Sequence, residues 1–116
     1  MSGVKIKIQT TGMKDKIKNA GKIAQEAVSV QIAVDSNEYI PKEFGALEAS
    51  VFADSNFSRG QIIWGVHYAV FVYYGLHMRL RTDKNRNASH LWFEVAKTQK
   101  IGDWMRLVSN VYKKEL

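Results

Sequence analysis

The chain has 116 residues, no cysteine, one proline and a formal charge of +6, from 17 Lys and Arg against 11 Asp and Glu. That length supports one hydrophobic core burying about two-thirds of the surface the unfolded chain exposes, so a single domain over residues 1–116 is expected. Without cysteine there are no disulfides or thiolate metal sites, as fits assembly in a reducing cytoplasm, and neither a signal-peptide h-region nor a run of about eighteen apolar residues occurs.

Along the chain, Val4, Ile6 and Ile8 alternate with Lys5 and Lys7, the period-2 pattern of a short edge strand. Thr10 or Thr11 can then cap a helix by accepting an unpaired N–H of its first turn. Met13, Ile17, Ala20, Ala24, Ala27, Val28 and Val34 recur at three- and four-residue spacing and predict that helix from Met13 to Val34, roughly 33 Å long. Its alanines suggest close approach to a sheet or another helix. The turn-forming run Asp35-Ser36-Asn37-Glu38 and then Pro41 end the pattern.

Leu47–Ala53 and Gln61–Val66 are rich in β-branched and aromatic residues, and the polar stretch 54–60 between them predicts a β-hairpin with an exposed tip. Gly60 and Gly65 read as turn and bulge residues. His67–Tyr74 is apolar all round and is followed by Gly75, suited to the left-handed position after a helix, so a short helix is expected there. Leu76–Ala88 holds four basic residues and one acid and reads as a projecting polar loop or arm with a reach of up to ~40 Å.

For the last helix, Asn87 or Ser89 is the expected cap, Glu94 complements the positive end of the dipole, and Lys113 and Lys114 complement the negative end. Trp92, Val95, Ala96, Ile101, Trp104, Leu107, Val108 and Val111 give it an apolar face, with a possible break at Gly102-Asp103. Together these elements predict an α+β fold: a small antiparallel sheet packed by a long N-terminal helix and a C-terminal helix.

Catalytic signatures are missing from the sequence. His67, His77 and His90 stand ten or more residues apart without HExxH spacing, and Glu43 and Glu48 are a close pair of acids in a loop-to-strand stretch. No GxSxG, P-loop or GxGxxG motif occurs, so no catalytic residue, cofactor or metal is assigned. The segment from Trp64 to Tyr74, with His67, Tyr68, Phe71 and Tyr73, could offer a base-stacking platform. It lacks Lys and Arg, however, and valines alternate with its aromatics, which favours a core or a protein–protein contact.

Several landmarks then occur in an ordered series. Ile40-Pro41-Lys42-Glu43-Phe44-Gly45-Ala46-Leu47-Glu48-Ala49-Ser50 resembles the P-x-D-T-G-x-L-x-x-S pattern of phage minor capsid and tail-completion proteins, with Pro41, Gly45, Leu47 and Ser50 matching. Tyr68 and Ala69 followed by Gly75 resemble the family's Y-A-x-x-x-x-x-x-G segment, one residue shorter here. His90-Leu91-Trp92-Phe93-Glu94 and a later tryptophan, Trp104, are similar to the start of its closing helix. Phe44, Val70 and Tyr73 depart from the usual threonine, proline and acid.

The resemblance covers about Met13 to Tyr112. It implies a head-tail joining subunit of a long-tailed bacteriophage that forms a sixfold homo-oligomeric ring in the virion neck, between connector and tail proteins, with phage DNA passing through the lumen. On that basis Tyr68, Phe71, Tyr73, Tyr74, Trp92 and Trp104 are expected as core and interface anchors, and Arg79, Arg81, Lys84 and Arg86 as a docking loop. A related tail-terminator ring protein is an alternative reading of the same resemblance. A different reading of the same charges, with Lys14, Lys16, Lys18 and Lys22 added, is a small basic nucleic-acid-binding module, whose binding would weaken steeply with salt.

Overall fold

The computed structural model describes residues 3–8, 15–42, 44–75 and 88–116. Its order is β1 (Val4–Lys7), α1 (Asp15–Asn37), α2 (Gly45–Asp54), a 3-10 turn at Phe57–Arg59, β2 (Gln61–Trp64), α3 (Ala69–Tyr74) and α4 (Trp92–Glu115). Strands β1 and β2 form a two-stranded antiparallel sheet, with Val4 opposite Trp64 and Lys7 opposite Gln61. Helices α1 and α4 pack against each other and against this sheet, giving the α+β architecture expected.

The alternation in β1 is realised: Val4 is buried and Ile6 partly so, while Lys5 and Lys7 are exposed. Ile8 lies just past the strand, and its N–H donates to the carbonyl of Gly60 at 2.7 Å. Gly60 has φ 71°, and a Cβ there would collide with the Ile8 carbonyl, so this turn needs glycine for two independent reasons. Gly65 is no bulge residue. Its missing side chain makes room for the Asp54 carboxylate.

The predicted hairpin is corrected. Leu47–Ala53 lies in helix α2, and β2 pairs with the distant β1. Val51 and Phe52 favour strands, but Ala46, Leu47, Glu48 and Ala49 are strong helix formers. The buried residues Leu47, Ser50 and Val51 follow the three- and four-residue spacing of one helical face. The polar stretch after α2 is largely exposed, as expected, and is tethered to α1 where Ser58 offers its carbonyl to the Gln25 amide at 3.1 Å.

Helix α1 buries Ala20, Ala24, Val28, Ile32 and Ala33 together with Ser29 and Ser36. Of the predicted stripe, Ile17 and Val34 are exposed, Ala27 is half-buried, and Met13 lies outside the described residues, as do Thr10 and Thr11. The core face passes through two serines, small buried residues that an apolar periodicity does not include.

Helix α4 runs unbroken through Gly102-Asp103, where the Asp103 carboxylate accepts a bond from Arg106 at 2.9 Å. Its cap is not Ser89, and Asn87 lies outside the described residues. Instead Leu91 precedes the helix with φ 52° and no side-chain cap bond. A left-handed leucine costs on the order of 1 kcal/mol or more. Backbone bonds hold it there: Leu91 N–H to the Tyr73 carbonyl at 2.7 Å and Ser89 N–H to the Tyr39 carbonyl at 2.8 Å.

Two glycine substitutions separate these local demands. Gly60→Ala should lower stability by at least about 2 kcal/mol. Gly102→Ala, whose Cβ would meet open space on a regular helix, should raise it by about 1 kcal/mol. Thermal or denaturant unfolding followed by circular dichroism reads both.

Candidate contact surfaces

The motif residues build joints. Pro41 is buried just after Ile40, and Leu47 is fully buried on α2. The hydroxyl of Ser50 donates to the Leu47 carbonyl at 2.7 Å. Tyr68 precedes α3 and packs its ring against Phe44, 5.8 Å between centroids, which brings the first and second motif segments into contact. Ala69 is fully buried beneath it. Gly75 ends α3 with φ 68°, and the His90 ring occupies the place of its missing Cβ, with His90 Nδ1 2.9 Å from the Val72 carbonyl. At Gly45, by contrast, a Cβ would meet nothing within 4 Å among the described residues.

The aromatic cluster divides between inside and outside. Trp64 lies fully buried, donates its indole N–H to Asn37 Oδ1 at 2.9 Å, and meets Trp92 edge-on at 5.7 Å. Trp92 in turn meets Tyr73 at 4.6 Å. Trp104 is buried against Phe93 and donates to Asp35 Oδ2 at 2.6 Å. Tyr73, Trp92 and Trp104 are therefore core residues in the folded subunit, and of the aromatic anchors named from sequence Tyr74 and Phe71 remain outside, 61% and 57% exposed. Arg79, Arg81, Lys84 and Arg86 lie outside the described residues.

Tyr74, Leu91 and Val70 border a groove of about 380 Å³ that runs along β1 and includes Glu94. Burial, the Glu94 carboxylate and the neighbouring Tyr74 push the Tyr73 phenol up from 10.0 to about 12, partly offset by a hydrogen bond with the Glu94 backbone. A second groove of about 410 Å³ lies between α1 and α4 and is almost wholly apolar, with Lys97 at its lip. Among the described residues, ion pairs join Lys42 to Glu48 at 3.0 Å and Arg106 to Asp103 at 2.9 Å. No group of three or more His, Asp or Glu able to hold a metal occurs among them, and none of their helices is long and apolar enough to cross a membrane.

These features define a small α+β subunit whose notable surfaces are apolar and aromatic contact faces. The family model described as Minor capsid protein matches residues 4–111, nearly the whole chain, and the protein belongs to that family. It is accordingly a structural protein of the phage virion. No curated protein and no solved structure matches the chain.

Burial of Tyr73 has a consequence in alkali. The folded phenol ionises later than the unfolded one, so the associated stability is complete below about pH 10 and is lost as the pH rises to about 12. In a phenolate absorbance titration of the native protein one tyrosine should lag the others, and Tyr73→Phe should abolish the lagging step.

Proposed function

We propose that the protein is a subunit of a ring in the phage neck that joins the DNA-filled head to the tail. The observation that carries this reading is the family match over residues 4–111, within which the tail-completion landmarks fall in order. Supporting it, Phe71, Tyr74 and Leu91 are exposed large apolar side chains among the described residues. An exposed aromatic patch suits docking on an adjoining ring, where a few aromatic side chains supply most of the affinity.

Neighbouring connector and tail proteins are the partners, and phage DNA passes through the lumen without sequence-specific contacts; a net charge of +6 suits proximity to a polyanion. The role is mechanical and requires no cofactor. Infection with a mutant lacking the gene should yield separate full heads and finished tails by electron microscopy; normal infectious particles would remove the neck assignment.

A point test bears on the docking patch. Phe71→Ala with Tyr74→Ala alters exposed residues, so folding should persist, whereas two anchors at about 2 kcal/mol each should weaken one docking contact by about a thousandfold. Complementation by this double variant should give folded protein and unjoined heads and tails; full titre would contradict the patch.

A further inference from the structure

Helix α1 carries a second apolar face turned away from its core. Ile23, Ala27, Val30 and Val34 follow each other at intervals of four, three and four residues, and Ile23, Val30 and Val34 are 39%, 38% and 49% exposed. Helix α4 carries Ile101, Met105, Val108 and Tyr112 at the same intervals, with Ile101 and Met105 44% and 66% exposed. Met105 and Ile101 form the wall of the 410 Å³ groove, whose floor is Val28, Ile32, Phe93 and Trp104. Among the described residues nothing covers either face.

We infer that the outward face of α1 in one copy packs into the α4 groove of the next copy, and that this contact closes the ring. It rests on the ring proposed above. Repeats of four and three residues are what side-by-side helices need to interdigitate, and the two runs have the same length, each roughly 17 Å. The sizes match as well: Ala27, Val30 and Val34 are compact knobs, whereas the groove is bounded by the longer Met105 and Ile101. Charge is complementary, since Glu26 flanks the α1 face and Lys97 stands at the lip of the groove, each without an ion pair among the described residues.

The two faces are different surfaces, so the contact is head-to-tail and repeats from copy to copy until it closes. Each α1 would then lie between its own α4 and that of a neighbour. A contact of three helical turns is smaller than the ~1,200 Å² of an ordinary stable interface, which makes closure of the whole ring the stabilising event.

The absence of native cysteine makes the test direct. Val30→Cys and Met105→Cys, each at an exposed position, are purified separately and oxidised alone, mixed, or combined in one chain. The mixture should give a disulfide-linked dimer, the combined variant a ladder of covalent oligomers, and each single variant alone no cross-link. Native mass spectrometry of the unmodified protein runs in parallel. Rings without cross-linking of the mixture would show that the ring closes through another surface and overturn this contact alone. Self-linking of either single variant would replace it with a symmetric dimer. Monomers at every concentration, with no cross-link, would remove ring and contact together.

Discussion

The indole N–H of Trp64 has no access to water and one partner, the side-chain carbonyl of Asn37. An unpaired donor there would cost about 1–3 kcal/mol, a substantial share of the margin by which a small domain stays folded. Asn37 sits at the last residue of α1, and its amide also donates to the Glu48 carbonyl at 3.0 Å. One side chain thus fixes β2 and α2 relative to the end of α1. The ring of Trp64 meets Trp92, and Trp92 meets Tyr73, which adds α4 and α3 to the same junction. The Trp104–Asp35 bond repeats the device about three turns further along α4, and pins the two long helices where they leave the sheet.

The parts of this arrangement visible in the sequence are those governed by local periodicity. Val4 to Lys7 alternates and is a strand; the segment before Gly75 is a helix stopped by a left-handed glycine; Glu94 and Lys113 mark the ends of α4. What escaped depends on distant partners. Val51 and Phe52 would suit a strand, yet β2 finds its neighbour in β1, more than fifty residues earlier. Leu91 is held in a left-handed conformation by bonds to Tyr73 and Trp92's burial, neither of which a capping rule can detect.

The contact surfaces show the same division. Pro41, Gly45, Leu47, Ser50, Tyr68, Ala69 and Gly75 could be picked out from their order, and all but Gly45 have a visible structural task. Whether an aromatic residue lies inside or outside depends on which side of a short helix faces Trp92, so Tyr73 and Tyr74, adjacent in sequence, take opposite fates. The two apolar faces of α1 merge into one stripe when every Ile, Val and Ala is counted alike; Ser29 and Ser36 reveal the true core face only once the fold is known.

The surface also limits where assembly can occur. Strand β1 is short and its exposed face carries Lys5 and Lys7, features that discourage uncontrolled strand pairing along a free edge. In the proposed ring, contact falls to side chains, on α3 and on the outer faces of α1 and α4. The most direct measurement is electron cryomicroscopy of finished phage particles. The account predicts density for the paired helices α1 and α4, held across the Trp64 junction, in a ring between head and tail; density for this fold in the capsid shell or at the distal tail tip would contradict it.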